Sequence, residues 1–439
     1  MSEMHEIVSD NIRAALAEQG GRGDWLSKIQ DEALADFERL GFPGKGLEQW
    51  KYTDISPLAA AYPDWLWTDS TAPQQPELPT LGIADADELV FVDGQYDAAL
   101  SRLGPLPDGT FLGSIDDLAA QQPDVCQRLF GRLAASRSSA FVALNAALAG
   151  NGAALLVPAG VELPRPVVLT YLSATPHSSA QPRLLVDLAE GARATVVEHF
   201  CSLGAVIVNA VAELSCAQNS RLDYYKLQAE DPAAWHTAAQ FAEVGRDAVL
   251  AATHLDIGAA LARNELQVQL VAAGAHAETK GLFMADAQRH VESRVTVEHV
   301  APHTTSRERY RGILGDRARG VFNGRIHVHA EAQKTAAELS NRNLLLNAGA
   351  EINTKPELEI YADDVKCAHG STTGQLDQQS LFYLLTRGLD HTTARNMLIT
   401  AFAAELLADI AIPAIAERAQ QALAALRDAS APPPPVTPS

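Results

Sequence analysis

Cys367 and His369 are the residues whose types and spacing could do chemistry together. They lie two positions apart in the segment Asp363 to Gly370, and alternate side chains of an extended chain share a face, so a thiol and an imidazole would project together. Both groups can ligate iron, and a basic neighbour such as Lys366 would favour the reactive thiolate. Two ligands do not complete a four-coordinate site, so a metal here needs ligands from a second chain or a free thiol.

The alternation before this segment predicts which way the pair faces. Leu358, Ile360 and Ala362 form an apolar set, and if the same register continues without a bulge, Cys367 and His369 lie on the opposite, outer face. The alternative is that Cys367 is an ordinary buried thiol, because free cysteine packs as a small hydrophobic residue. In that case His369 would cap a turn.

His327 and His329 form a second pair at the same spacing. On a strand they would share a face and could bind a metal at a sheet edge. An isolated histidine pair rarely completes a metal site, however, so surface residues on an outward strand face are the competing interpretation.

Motifs of known enzyme classes are weak or missing in the sequence. The segment Gly41 to Gly46 contains Gly-Lys without the spacing and the Ser or Thr of a phosphate-binding loop, so we expect no ATP site of the chain's own. Asp363 and Asp364 could be the acid pair of a β-helix carbohydrate-active enzyme, which is the alternative function. Adjacent residues of a strand point to opposite faces and cannot flank one scissile bond together. We therefore expect a protein that is not an enzyme.

The segment with Cys367 and His369 ends a long β-rich region. From Ala153 to about Ala368, short β-prone runs such as Val167 to Tyr171 alternate with small turn clusters rich in Gly, Asn and Asp. The clusters recur within the period of roughly 20–50 residues expected of solenoids. Each rung of such a coil must lie on its neighbour to bury an apolar face. The pattern favours a coil of stacked β-rungs, with a β-sandwich as the alternative.

Helical patterns flank the β-rich region. Residues 1–85 are predicted to form an N-terminal helical region and linker, with an irregular connector from Ala61 to Thr80, and residues 86–370 to form the core with short helices at its start. Residues 371–428 are predicted to form a C-terminal helical domain whose first helix is capped by Asp377. The Pro-rich residues 429–439 are predicted to be disordered.

Composition narrows the classes of partner and the location. The formal net charge of −20 disfavours binding to nucleic acid or anionic lipid. The start of the chain has no basic flank followed by an apolar run, and about 18 consecutive apolar residues occur nowhere, so we expect no secretory signal, no membrane span and a cytoplasmic protein. The 4 cysteines are far apart and form no C-x-x-C pair, which disfavours a disulfide framework and a self-contained zinc or cluster site.

Three groups of segments resemble one protein family. They are Gly41-Phe42-Pro43 with Glu48-Gln49-Trp50-Lys51-Tyr52-Thr53, then Ala143 to Ala147 with Val157 to Val161, and the long run from Lys355 through Cys367 and His369 to Gly388. Together they resemble the SufB/SufD family of iron–sulfur cluster assembly proteins, and its SufD branch more than its SufB branch. The resemblance spans nearly the whole chain except the Pro-rich tail.

The resemblance implies a mainly β protein, with a right-handed parallel β-helix core and helical N-terminal and C-terminal regions. It implies a scaffold subunit that pairs with a SufB-like paralogue through the core and docks a SufC-like ABC ATPase through the C-terminal helices, with a homodimer possible when the chain is alone. By the same resemblance, Cys367 and His369 lie near the paralogue interface, where a transient iron–sulfur cluster is shared. Which of the two ligates the cluster stays open. Trp50, Lys51 and Tyr52 are expected to pack and cap.

Overall fold

A computed structural model of the chain describes residues 2–18, 24–66, 78–149 and 152–429. The helices are α1 (Ser2–Glu18), α2 (Asp24–Leu40), α3 (Ser56–Trp65), α4 (Ile115–Gln121), α5 (Pro123–Leu129), α6 (Ala140–Ala147), α7 (Gln378–Thr386), α8 (His391–Ala408) and α9 (Pro413–Ala429), with short 3-10 helices at Glu48–Trp50 and Ser136–Ser138. None of the described helices is long and apolar enough to cross a membrane.

Strands make up the middle of the chain. They are β1 (Asp87–Val92), β2 (Gln95–Arg102), β3 (Phe111–Ser114), β4 (Gly152–Val157), β5 (Val167–Ser173), β6 (Ser179–Ala180), β7 (Arg183–Leu188), β8 (Arg193–Ser202), β9 (Ile207–Cys216), β10 (Arg221–Gln228), β11 (Trp235–Val244), β12 (Val249–Asp256), β13 (Leu261–Leu270), β14 (His276–Ala285), β15 (His290–His299), β16 (Thr305–Leu314), β17 (Arg319–Val328), β18 (Ala336–Leu345), β19 (Glu351–Ile360) and β20 (Lys366–Gly374).

The strands form two long sheets between which the chain alternates. The first sheet has the order β2-β1-β5-β8-β10-β12-β14-β16-β18-β20, and the second has the order β19-β17-β15-β13-β11-β9-β7-β4-β3 with β6 beside β9. Pairing is parallel except in the β1–β2 and β3–β4 pairs. Successive strands thus wind as a parallel β-helix of about 8 turns. The predicted fold is confirmed, and the β-sandwich alternative is wrong.

Turn residues stack with the strands. Asn219, Asp247 and Asp316 adopt positive φ values of 58°, 53° and 51°, which Asn and Asp tolerate better than most residues. The backbone N–H of Asn219 donates to the carbonyl of Arg246 in the turn above it. The turn clusters seen in the sequence therefore mark corners of the coil.

The two ends of the coil differ. At the first end, β2 pairs antiparallel with β1 through an irregular register between Glu88 and Val90, and the second sheet stops at the four-residue β3, which leads directly into α4. Irregular pairing and short strands make poor templates for further pairing. At the last end, β19 and β20 are regular strands of 10 and 9 residues, each paired on one side only among the described residues.

The N-terminal helices pack around an aromatic cluster beside the first turns, which includes Phe37, Phe42, Tyr62 and Phe141. Helix α3 continues to Trp65 with Tyr62 fully buried, so the predicted irregular connector begins too early, while residues 67–77 of it lie outside the described residues. Burial differs among the three residues expected to pack and cap, Trp50, Lys51 and Tyr52. Trp50 is buried with the Arg263 guanidinium 3.8 Å from its ring, as a packing role requires, whereas Lys51 and Tyr52 are exposed.

The C-terminal helices cover the outer face of the first sheet. Ile399 and Leu406 of α8 and Leu423 of α9 are buried in one cluster with strand residues such as Leu227 and Leu255. The Asp377 side chain accepts hydrogen bonds from the first turn of α7, so the predicted cap is confirmed. Residues 430–439, most of the predicted disordered tail, lie outside the described residues. The domain boundaries at residues 85, 370 and 428 stay predictions.

A buried ion pair fastens the N-terminal region to the coil. The guanidinium of Arg183 donates to the Glu213 carboxylate at 2.7 Å and to the Asn145 side chain at 2.9 Å. Glu213 also accepts the backbone N–H groups of Gly131 and Leu133 at 2.8 and 2.7 Å. Both charged side chains are almost fully buried. The ion pair therefore links the core strands β7 and β9 to α6 and to the loop after α5.

We expect Arg183→Met to destabilise the chain by about 3–5 kcal/mol, because it leaves the Glu213 charge buried without its partner. Urea unfolding followed by circular dichroism measures the change. Arg221→Met is the matched control: its partner Asp223 is at the surface, so the expected cost is below about 1 kcal/mol. Equal shifts in the two variants would contradict the role of the buried pair.

Candidate functional site

Cys367 and His369 lie on β20, the last strand of the first sheet. In the parallel register they stand above Ala337 and Leu339 of β18, which are buried in the core, and Cys367 packs against that core. The two side chains therefore occupy inward-facing positions of the coil. The prediction that they lie on its outer face is wrong.

A bend between β19 and β20 explains the change of face. Ala362 and Val365 both contact the core, so the inward positions are even-numbered before the bend and odd-numbered after it. The backbone carbonyl of Asp364 accepts the N–H of Lys334 at 2.7 Å, and its N–H donates to Gln333 at 2.9 Å, which holds the bend. The bend thus places Cys367 on the inward face of the coil instead of the predicted outer face.

The pair is accessible because the coil stops there. Ala337 and Leu339, one turn below, are 5% and 1% exposed, whereas Cys367 is half-buried and His369 is exposed. No further rung covers them among the described residues. The alternative of an ordinary buried thiol is correct only for the half of the Cys367 side chain that the previous turn buries, and the site faces the open end of the coil.

Polar side chains surround the inward positions next to the pair. Ser371 on β20 lies 3.0 Å from the Thr354 hydroxyl on β19, and Thr354 donates to the Asn341 side chain at 2.9 Å. This group adjoins His369 on the same face of β20. The open end of the coil is therefore polar on one side of the pair.

Partial burial raises the pKa of the Cys367 thiol above its ordinary value. Lys366 does not offset this, because neighbouring residues of a strand point to opposite faces. The direction of this pKa shift is opposite to the one expected from a basic neighbour such as Lys366. A metal ion that binds the sulfur would have to displace its proton.

We expect Cys367 to be the one cysteine that an alkylating reagent reaches in the native chain, because the other 3 are buried. The rate should be low at pH 7 and should still rise above pH 9, because only the thiolate reacts and the pKa is raised. Mass spectrometry after iodoacetamide pulses at several pH values measures it, with Cys367→Ser as the unlabelled control. Fast labelling at pH 7 that levels off by pH 8 would refute the raised pKa.

The second histidine pair gains a partner in the structure. His327 and His329 stand on the outward face of the second sheet, and Glu298 of β15 is the register partner of His327. The ligand atoms of the three residues lie within 4.8 Å of one another. Sequence reasoning missed Glu298 because it lies one turn earlier in the coil. Among the described residues, Cys367 and His369 belong to no such group of three.

The coil interior also holds ionisable groups that the sequence pattern did not single out. Lys226 of β10 points inward, with its Nζ 2.8 Å from Nε2 of His236, and Nδ1 of His236 lies 2.5 Å from Glu230. Burial lowers the pKa of Lys226 and raises that of Asp256 to about 6. In the sequence these residues interrupt the alternation of apolar positions. That interruption was the signal from which ionisable groups inside the coil could have been predicted.

Asp363 and Asp364, considered as an acid pair, lie in the bend rather than on a strand. Asp364 is ion-paired with Lys334. Nothing in this arrangement favours cleavage of a glycosidic bond.

The fold and the site define a class of protein: a parallel β-helix with irregular strand pairing at its first end and an accessible thiol and imidazole at its last end. Two family models match the chain, "SUF system FeS cluster assembly, SufBD core domain" over residues 171–402 and "SufBD protein N-terminal region" over residues 14–169. The chain therefore belongs to the SufB/SufD family of iron–sulfur cluster assembly proteins, as the resemblance predicted.

Individual relatives agree with this assignment. An iron–sulfur cluster assembly protein SufD of Escherichia coli K12 is 34% identical over 391 residues, which cover 88% of this chain and 89% of the relative. A SufBD family protein of Synechocystis is 30% identical over 443 residues, with 95% and 96% covered. The SufD protein of Bacillus subtilis is 23% identical over 420 residues, with 93% and 95% covered. The chain is thus SufD-like along most of its length.

Proposed function

We propose that the chain is a scaffold subunit of a SufBCD-type complex, which pairs with a SufB-like paralogue and docks a SufC-like ABC ATPase during iron–sulfur cluster assembly. The observation that carries the proposal is the open end of the coil, where two regular strand edges frame Cys367 and His369. In this role the chain has no catalytic activity and no ATP site of its own. Membership of the family supports the assembly function.

The paralogue docks on the last turn of the coil. Free strand edges are templates for pairing with another chain, and Pro356 of β19 suits an edge, where strand prolines are tolerated. Ile360 is 38% exposed, although its register partner Val328 is fully buried. A second coil end would complete the hydrogen bonds and cover Ile360. When the paralogue is absent, a second copy of this chain can use the same edges to form a homodimer.

Cys367 and His369 supply two ligands of a transient cluster shared with the paralogue. Iron–sulfur clusters are held mostly by thiolates, with histidine as a substitute in some centres. The chain alone brings one thiol and one imidazole to this place, so the remaining ligands come from the covering partner. A cluster bound this way is released when the two ends separate, as a scaffold requires.

The ATPase docks on the C-terminal helices. Phe382 and Tyr383 of α7 are 68% and 55% exposed, and Met397 of α8 is 48% exposed. Several large exposed apolar side chains on adjoining helices are typical of a protein contact. Because α8 and α9 pack on the outer face of the first sheet, movement of a docked ATPase would act on the coil.

We expect Cys367→Ser and His369→Ala each to lower the activity of cluster-containing enzymes in cells several-fold while the complex still co-purifies. Each change removes a cluster ligand at an accessible edge and leaves the core intact. A strain that depends on this assembly system provides the measurement. Lys366→Ala and Thr372→Ala, exposed neighbours on the same strand, are the matched controls. Normal enzyme activity in both ligand variants would reject the cluster role.

We expect Ile360→Lys to lose the paralogue but keep the ATPase, and Phe382→Ser to do the reverse. The lysine places a charge between the coil ends, and the serine removes an exposed anchor from α7. Affinity purification of the tagged chain from cells that express all three subunits measures both, so each variant is the control for the other. Size-exclusion chromatography should also show Ile360→Lys as a monomer wherever the parent chain dimerises. Loss of both partners from one variant with an unchanged melting curve would contradict separate docking surfaces.

A further inference from the structure

A group of three metal-ligating side chains lies on the outward face of the second sheet, apart from Cys367 and His369 on β20. His327 is the penultimate residue of β17 and His329 comes just after the strand, and their stacked rings lie on the same side. Glu298 of β15 lies in register beside His327. The rings of the two histidines stack with their centroids 4.3 Å apart. All three side chains are partly exposed, which places the group at the surface of the coil.

The distances suit a shared cation better than a direct bond. Nε2 of His329 lies 3.6 Å from the Glu298 carboxylate, which is too long for a hydrogen bond. With metal–ligand bonds of about 2.1 Å, neighbouring ligand atoms around one ion are roughly 3.0–3.4 Å apart. Nε2 of His329 is shielded from solvent and has no hydrogen-bond partner in the described part of the chain. Small side-chain rotations would bring the three ligand atoms onto one ion.

One basic side chain acts on the group, and a carboxylate pairs with it. Arg325 is the nearest basic residue on the same face of β17, and it is paired with the Glu359 carboxylate at 2.6 Å. The Tyr361 ring meets His327 edge-on with the centroids 5.6 Å apart, which flanks one imidazole. Arg325 also interacts electrostatically with Glu298, but its ion pair is with Glu359, so the Glu298 carboxylate has no arginine bound directly to it among the described residues.

We propose that Glu298, His327 and His329 bind one divalent transition-metal ion, Zn²⁺ or Fe²⁺, and leave its remaining coordination positions to water or to an outside ligand. Two imidazoles and one carboxylate suit zinc and ferrous iron, whereas Mg²⁺ and Ca²⁺ prefer oxygen ligands alone. The site does not depend on cluster chemistry at Cys367, because its ligands lie on β15, on β17 and directly after β17. Its failure and the failure of the scaffold role are therefore separable.

Calorimetric titration of the metal-free full chain tests the site, with Zn²⁺ in air and Fe²⁺ under anaerobic conditions. We expect one saturable ion per chain for at least one of the two metals. Glu298→Gln, His327→Gln and His329→Gln should each weaken binding by about tenfold or more, because each removes a ligand. His391→Gln, which removes an exposed histidine of α8, should leave it unchanged. Melting curves of all variants establish that the fold is retained.

A second arm separates this site from the thiol–imidazole pair. The Cys367→Ser/His369→Gln double variant should keep the calorimetric site, and Co²⁺ bound to the parent chain should show no thiolate-to-cobalt charge-transfer band. Binding that survives His327→Gln and His329→Gln together, or that disappears in the Cys367→Ser/His369→Gln variant, would overturn the assignment. Binding of Mg²⁺ as tight as that of Zn²⁺ would overturn the predicted class of ion.

Discussion

Backbone hydrogen bonding between successive turns is the constraint on which this structure depends. Buried N–H and C=O groups must find partners, and in the coil each strand finds them in the strands one turn before and one turn after it. The last turn has a neighbour on one side only. The same deficit exposes Cys367 and His369, which would be core positions in any earlier turn, and leaves two strand edges for another chain. The exposed pair and the free strand edges thus have one physical cause.

The interior of the coil is less uniform than its regular backbone suggests. Lys226, His236 and Glu230 are buried and contact one another, and both carboxylate oxygens of the buried Glu308 have no hydrogen-bond partner in the described part of the chain. Burial raises the Glu308 pKa well above its ordinary value, as expected when a carboxyl group lacks a compensating charge. Towards the open end, Asn341 continues this polar interior. Each of these buried groups depends on its neighbours for hydrogen bonds and for compensation of its charge. Replacing one member alone therefore costs more stability than replacing the whole group by apolar residues.

The sequence predicted the secondary-structure elements well, but it predicted less well which face of a strand a side chain lies on. Alternating strands, recurrent turns and the Asp377 cap are local signals, and each was found in place. The face of Cys367 could not be predicted, because a bend between β19 and β20 moves the inward positions from even to odd numbers. The raised pKa of Cys367 depends on burial by the previous turn. Glu298 joins the histidine pair only through the register of β15 with β17, which no local pattern contains.

The difference between the two ends of the coil limits how many coils could join end to end. A coil with a regular free strand edge at both ends would polymerise, because each added copy would present a new free edge. Here the irregular β1–β2 pair and the short β3 make one end a poor acceptor, and the regular edges of β19 and β20 make the other a good one. Joining two such coils tail to tail uses up both good ends at once. In such a pair only the irregular ends would remain exposed, so the proposed pairing would not continue into a fibre.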